Sequence, residues 1–133
     1  LEQLRLMVLV QKDLLSDSTT MPVGEALDIL FHGGAQVLKM ADQLGDIQVG
    51  KLADIVLLRQ DGLHNFPRYD PAANLVFSSR SSDVHTVICN GEMLLAEGTL
   101  LTIDKQQVKG EVSRRLDRLN QRVPGKRIAT YPA

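Results

Sequence analysis

Three histidines are the residues of this sequence best suited to metal or acid–base chemistry. They stand at positions 32, 64 and 85, and none has a second histidine or a cysteine near enough along the chain for metal-ligand spacing. His32 lies beside a double glycine in a helical pattern, which predicts packing or capping. His85 alternates with apolar residues on a predicted strand, so we expect it to face solvent. His64 lies in a proline-rich loop, where functional residues are common, but a structural hydrogen bond is the favoured interpretation.

Three further side chains are candidates, and each has a structural interpretation that is favoured. Cys89 has no activating base near it in the sequence and is predicted to be a small, buried strand residue. Asp54 precedes an apolar run, and we expect its carboxylate to accept backbone N–H groups at a hairpin rather than to act in catalysis. Arg80 is a lone arginine in "SSRSSD", where a plain loop is favoured over an anion site. We assign no catalytic, cofactor-binding or metal-binding residue to this sequence.

The composition is that of a globular domain. The 133 residues are 44% hydrophobic and 23% charged, with a net charge of −1. This charge argues against nucleic acid as the main partner, and no apolar run approaches the length of a bilayer span. A single cysteine favours a reducing compartment, so we expect a cytoplasmic protein with no membrane partner.

The basic residues are concentrated at the end of the sequence. Only two acids, Glu111 and Asp117, lie among the eight basic residues, which are Lys105, Lys109, Arg114, Arg115, Arg118, Arg122, Lys126 and Arg127. Binding of nucleic acid or an anionic membrane is one interpretation, and a solvated helix face is the favoured one.

Two helices are predicted in the first 44 residues. "LEQLRLMVLVQKDLL" is apolar around much of its circumference, which predicts a helix over 1–15 that is buried on more than one side. "SDSTT" ends it through side-chain hydrogen bonds. Pro22 suits the first turn of a second helix. The stripe predicted to face a core comprises Ala26, Ile29, Leu30, Val37 and Leu38. Gly33-Gly34 predicts close packing against a neighbour or a break in the helix.

Strand patterns follow, and the sequence ends in another helical pattern. Ile47 and Val49 alternate with polar residues, and the run "DIVLL" predicts a strand covered on both faces. Asp70-Pro71 predicts the cap of a short helix. Asn90-Gly91 predicts a type I′ turn in the hairpin "VHTVICNGEMLL". Asp104 predicts the start of a helix whose apolar positions are Val108, Val112, Leu116 and Leu119.

Several segments together resemble one enzyme superfamily. "LGDIQVGKLADIVLL" resembles the tail signature of the amidohydrolases. Three more segments fall in the expected order along the chain: the helix "EALDILFHGGAQVL", the loop "HNFPRYDPAANLVFSSRSSDV" and the hairpin "VHTVICNGEMLLAEG". The resemblance covers about residues 1 to 108. It is greatest to the branch that holds methylthioadenosine/S-adenosylhomocysteine deaminases and triazine chlorohydrolase-like enzymes.

The resemblance implies a (β/α)₈ barrel enzyme with an accessory β-sandwich. It also implies one divalent metal, Zn or Fe, which activates water for attack on a ring carbon of a small-molecule substrate. None of the family's metal-ligand positions falls within this sequence. The positions that match the family are scaffold positions, namely Gly50, Lys51, Ala53, Asp54, Asn90 and Gly91.

The fold class expected is α/β to α+β, as a C-terminal fragment of such a hydrolase. Residues 1–44 would be the last barrel helices, and 45–103 the later sandwich strands with a short helix near 70–79. Residues 104–133 would be a terminal helix and tail. We expect this fragment to be inactive alone, and to associate with the missing barrel portion or with itself. The alternatives are a free-standing α+β interaction module and a basic-helix nucleic-acid binder.

Overall fold

A computed structural model describes residues 1–122 of the chain. These residues divide into one unit over residues 1–99 and a second that begins at Leu100. The end of the predicted terminal segment, with Lys126 and Arg127, lies outside the described residues. Within the described part of the chain, no helix is both long and apolar enough to cross a membrane.

The first helix, α1, spans Glu2–Leu15 and confirms the predicted helix over 1–15. It ends at Ser16, which has a left-handed φ of 50° and donates its N–H to Asp13 O. The Asp17 carboxylate then accepts hydrogen bonds from the backbone N–H and the hydroxyl of Thr19. The polar segment therefore ends the helix as predicted. The prediction of burial on more than one side is wrong within this chain, because only Leu4 and Val8 are buried.

A helical segment with a π-turn in its middle follows α1. It consists of α2 (Val23–Asp28), a π-turn (Ile29–Gly33) and α3 (Gly34–Val37), and Pro22 stands immediately before it as the N-cap. The double glycine does not break the helix. A Cβ on Gly34 would have no neighbour within 4 Å in the part of the chain that the structure describes, so the predicted close packing is wrong there for that glycine.

The predicted apolar stripe of this segment is largely exposed. Ala26 is buried as predicted, whereas Ala35 takes the second buried position. The four members of the stripe that are exposed are Ile29, Leu30, Val37 and Leu38. A π-turn carries an i→i+5 bond, so it rotates the later positions Val37 and Leu38 away from the 3.6-residue period on which the prediction rests.

The core of the first unit is small and lies where α1 and α2 meet a short later helix. Helix α4 spans Pro71–Phe77 and is capped by Asp70, whose carboxylate accepts the N–H of Ala72 at 2.9 Å, as predicted. The buried cluster consists of Leu4, Val8, Ala26 and Val76, with Met7, Met21, Val23 and Leu27 packed against it.

Among the described residues, four strands form one sheet in chain order, and its first two pairings are antiparallel. The strands are β1 (Ile55–Leu58), β2 (Val84–Cys89), β3 (Glu92–Ala96) and β4 (Thr99–Leu100). Asn90 and Gly91 have φ values of 48° and 80°, which confirms the predicted type I′ turn. Glu97 and Gly98, with φ values of 48° and 75°, make a second turn of positive φ that sequence reasoning missed.

The prediction of strand structure at Ile47 and Val49 is wrong. Both side chains are exposed. The backbone there forms turns within a loop that is closed by the hydrogen bond from Leu52 N–H to Gln43 O, at 3.0 Å. Within residues 1–122, strand β1 is also not covered on both faces, because Val56 and Leu57 are each about half exposed.

The second unit contains the long helix α5 (Lys105–Arg122). Its N-cap is Asp104, as predicted, and the Asp104 carboxylate accepts the N–H groups of Gln106 at 2.8 Å and Gln107 at 3.1 Å. No described residue of α5 is buried. The four predicted apolar positions, Val108, Val112, Leu116 and Leu119, are 42–51% exposed.

Candidate functional site

His64 belongs to a partly buried network of polar side chains, which we call the His64 network and which comprises His64, Asn65, Ser79 and Asp83. The loop before it forms a 3₁₀ turn over Leu63–Asn65. His64 Nε2 lies 2.8 Å from Asp83 Oδ2, and Asn65 Nδ2 lies 3.4 Å from the same oxygen. Asn65 and Ser79 are almost completely buried, at 1% and 0% exposure. The predicted structural hydrogen bond of His64 is therefore confirmed.

Each buried group of this network has a partner. The Ser79 hydroxyl donates to Asn65 Oδ1 at 3.2 Å, and Gln60 Nε2 donates to Ser79 Oγ at 3.4 Å. Asn74, on α4, donates its amide to the Asn65 carbonyl at 2.6 Å. Since unpaired buried polar groups are costly, a fully bonded network fixes the loop against α4 and the start of β2.

The Asp83 carboxylate is the charged centre of the network. It accepts hydrogen bonds from the side chain of His64 and from the backbone N–H of Arg80, the latter at 2.8 Å. The bond from His64 is the main reason why the pKa of Asp83 is lowered, and burial opposes it. Arg80 itself is exposed, and its segment forms a short 3₁₀ turn over Ser81–Asp83.

Gly62 provides the space that the His64 ring occupies. A Cβ at Gly62 would lie 2.6 Å from His64 Cε1 and 2.9 Å from its Nδ1. A side chain at position 62 would therefore have to displace the His64 ring from the place where it bonds to Asp83.

The Asp54 carboxylate binds the Asn90-Gly91 turn. Asp54 Oδ1 accepts the N–H of Asn90 at 2.6 Å, and the Ala53 carbonyl accepts the N–H of Gly91 at 3.0 Å. We call these two hydrogen bonds the Asp54 clamp. The clamp confirms the predicted structural role of Asp54 and joins the residues before β1 to the β2–β3 hairpin.

Cys89 is exposed, so the prediction of a buried strand residue is wrong. It is the last residue of β2, beside the turn. The negative charge of Asp54 is the largest cause of a raised pKa of the thiol, and partial desolvation, a hydrogen bond to Asp54 and the charge of Glu92 add to it. A raised pKa keeps the thiol protonated and makes Cys89 a poor nucleophile near neutral pH.

The two remaining histidines form hydrogen bonds of their own. His32 Nδ1 lies 2.6 Å from Asp28 Oδ1, one turn earlier, and the side chain is half exposed and caps no helix end, so the predicted capping or packing role is wrong. Its Nε2 lies 4.0 Å from Asp46, which forms an ion pair with Lys51. His85 is half-buried and bonds to Thr86 Oγ1 at 2.9 Å, so the prediction that it faces solvent is wrong.

The described residues do not fit a metal centre. Over residues 1–122, no group of three His, Cys, Asp or Glu side chains is arranged to hold a metal ion. The polar clusters described above bind backbone amides and one another. The hydrogen bonds of these clusters position loops and turns.

Comparison with known proteins identifies the relatives of this protein. Residues 1–94 match the model of the amidohydrolase family. The chain is 37% identical, over 92% of its length, to a 5-methylthioadenosine/S-adenosylhomocysteine deaminase of Desulforudis audaxviator. It is 36% identical, over 78% of its length, to a 5'-deoxyadenosine deaminase of Methanosphaera stadtmanae. These alignments span only 28% and 24% of the two deaminases.

Solved structures with the same fold include zinc-containing enzymes. An adenosine deaminase from Xanthomonas campestris with bound zinc superposes with a TM-score of 0.84 at 24% identity, over 90% of this chain and 27% of that one. An atrazine chlorohydrolase from Arthrobacter aurescens, complexed with zinc, superposes with a TM-score of 0.73 at 26% identity, over 84% of this chain and 25% of that one. The fold described above thus corresponds to about a quarter of each structure.

Proposed function

Because this chain belongs to the amidohydrolase family, we propose that it is the C-terminal part of a metal-dependent hydrolase that acts on carbon–nitrogen bonds other than peptide bonds. The proposed reaction is deamination, or a related aminohydrolase or chlorohydrolase reaction, on a purine-like or triazine-like ring. The observation that carries this proposal is the 37% identity over 92% of the chain to a deaminase of which the alignment spans only 28%.

In this proposal the chain supplies scaffold. Residues 1–44 are the last helices of a barrel, and the strands are the later part of an accessory sandwich. The described residues contain no ligand set for a metal ion, so the metal, Zn or Fe, and the small-molecule substrate are expected to be held by the rest of the enzyme. The isolated chain is therefore expected to be inactive.

The surface of α1 supports the proposal that this chain packs against a large partner. On the side of the helix away from the core lie four exposed apolar residues, which we call the outer face: Leu6, Leu9, Val10 and Leu14. Contiguous apolar surface of this kind is typical of interfaces. We propose that the outer face packs against the missing barrel portion in the enzyme, and that it promotes self-association in the isolated chain.

A chimera tests the proposal. The aligned quarter of the Desulforudis audaxviator deaminase would be replaced by this chain, and ammonia release from 5-methylthioadenosine would be measured with zinc present. We expect the chimera to be active. The chain alone and the deaminase without its aligned quarter, as matched controls, should both be inactive.

Two results would contradict the proposal. Deaminase activity of the isolated chain would show that it carries its own active site. A chimera that folds and binds zinc but lacks activity would show that the residues described above do not replace the corresponding part of the deaminase.

A further inference from the structure

The Asn90-Gly91 turn contains the residue pair most prone to spontaneous deamidation. Both residues are exposed at the tip of the β2–β3 hairpin. In an Asn-Gly pair the glycine has no side chain to hinder its backbone nitrogen from reaching the amide carbon of the asparagine. Sequence alone would therefore predict rapid loss of the Asn90 amide.

In the folded protein, the hydrogen bonds of the turn oppose this reaction at the backbone nitrogen of Gly91, which is the attacking atom. Gly91 N–H donates to the Ala53 carbonyl at 3.0 Å, and Asn90 N–H donates to Asp54 Oδ1 at 2.6 Å. The nitrogen of Gly91 must lose its proton to attack, and this hydrogen bond holds that proton. The two bonds also hold both residues at positive φ, whereas ring closure requires the backbone to rotate.

We propose that Asn90 is a deamidation site and that the Asp54 clamp prevents the reaction while its two hydrogen bonds are formed. Asn90 then deamidates when the segment before β1 separates from the hairpin. In the reaction Gly91 N loses its proton and attacks Asn90 Cγ. A bond between these two atoms forms, and the bond between Cγ and Nδ2 of Asn90 breaks with release of ammonia. Water then opens the five-membered succinimide at either carbonyl, which yields aspartate or isoaspartate at position 90.

The product does not fit the site from which it came. Deamidation adds a negative charge close to Asp54, at a position where Glu92 also lies nearby in the sequence. The surroundings are already negative, because the charges of Asp54 and Glu92 both raise the pKa of the neighbouring Cys89 thiol. Isoaspartate also lengthens the backbone within a two-residue turn. The clamp would thus not re-form. Each separation that leads to reaction would leave aspartate or isoaspartate at position 90.

The test follows the amide of Asn90 in the full chain at mildly alkaline pH, by peptide mass spectrometry with separation of the aspartate and isoaspartate products. The first comparison is between the folded protein and the same protein in denaturant. The second is between Asp54→Ala and Asp70→Ala. The matched control removes another carboxylate that accepts a backbone N–H, the cap of α4.

We expect the folded protein to deamidate at least about tenfold more slowly than the denatured protein, because a hydrogen bond to a charged group shifts an opening equilibrium by that order. Asp54→Ala should accelerate the reaction by a similar factor, and Asp70→Ala should leave the rate unchanged. Circular dichroism checks that both variants remain folded. If Asp54→Ala unfolds, Asp54→Asn, which keeps an acceptor oxygen, should give an intermediate rate.

Equal rates in the folded and denatured protein would overturn the proposal, since the fold would then give no protection. A folded Asp54→Ala variant that reacts at the wild-type rate would overturn it as well. So would equal acceleration by Asp54→Ala and Asp70→Ala, which would indicate general destabilisation.

Discussion

At the scale of single residues, Asp83 makes the fold sensitive to acid. Its pKa is lowered by the hydrogen bond from His64, so the folded protein holds the carboxylate ionised at pH values where the unfolded protein takes up a proton. The stabilisation is fully present above the ordinary aspartate pKa, about 3.9, and is lost as the pH falls through the lower pKa of the folded protein.

We expect Asp83→Asn to lower the free energy of unfolding near neutral pH by about 1–3 kcal/mol, because it removes the charged acceptor of a mostly buried network. The difference from wild type should begin to shrink below the ordinary aspartate pKa and should vanish once the pH falls below the lowered pKa of Asp83. Denaturant unfolding over a pH series measures both effects. The matched control is Asp61→Asn, at an exposed aspartate, which should change neither. A pH-independent loss would contradict the assigned role.

Sequence reasoning identifies Asp54 at this scale, because an acid directly before a strand and near a turn has local amides to accept. It does not identify the partners of His64. Asp83 lies 19 residues away in the sequence, and nothing in the loop sequence shows that the two segments meet. The exposure of Cys89 is missed as well, because it depends on which elements cover the end of β2.

At the scale of elements, Arg5 joins α1 to the end of α4. Its Nε donates to Val76 O at 3.1 Å and its Nη2 donates to Ser79 O at 2.5 Å, and both accepting residues are fully buried.

We expect Arg5→Lys to lower the free energy of unfolding by about 1–3 kcal/mol, because lysine keeps the charge but cannot make both bonds in this geometry. Denaturant unfolding measures the loss, and Arg68→Lys, at an exposed loop arginine, is the control. Equal small effects of the two variants would contradict the anchoring role.

Helix α5 depends on its cap because none of its described residues is buried. We expect Asp104→Ala to destabilise the helix by about 1 kcal/mol and to raise amide hydrogen exchange in its first turn. The matched control is Asp117→Ala, which removes an exposed carboxylate from the middle of the same helix. Exchange that rises equally in both variants would show that charge, rather than capping, is the cause.

Local signals predict the helices and the hairpin correctly at this scale. Asp70 and Asp104 identify helix starts because a cap acts within three residues, and Asn90-Gly91 identifies its turn because positive φ is required at both positions. Burial is predicted less well. The stripe beyond the π-turn and the faces of β1 depend on elements that pack from a distance, and the exposed positions there have no cover within the described residues.

At the scale of the whole molecule, the outer face of α1 should control association. We expect Leu14→Glu to weaken self-association of the isolated chain by at least about tenfold, because burial of a leucine contributes about 1.5–3 kcal/mol. Sedimentation velocity over a concentration series measures this. Leu63→Glu, which changes an even more exposed leucine in a loop, should leave association unchanged. Association that responds equally to both variants would indicate general stickiness rather than a defined interface.

The small core has a thermodynamic consequence for the isolated protein. Among the described residues only five hydrophobic side chains are buried, namely Leu4, Val8, Ala26, Ala35 and Val76. The denaturant m-value and the heat-capacity change of unfolding both scale with the surface exposed on unfolding. We expect both to fall below those of an ordinary domain of this length, for which the heat-capacity change is about 12–15 cal/mol/K per residue. Calorimetry would then record a broad, shallow transition, and covering the outer face would sharpen it.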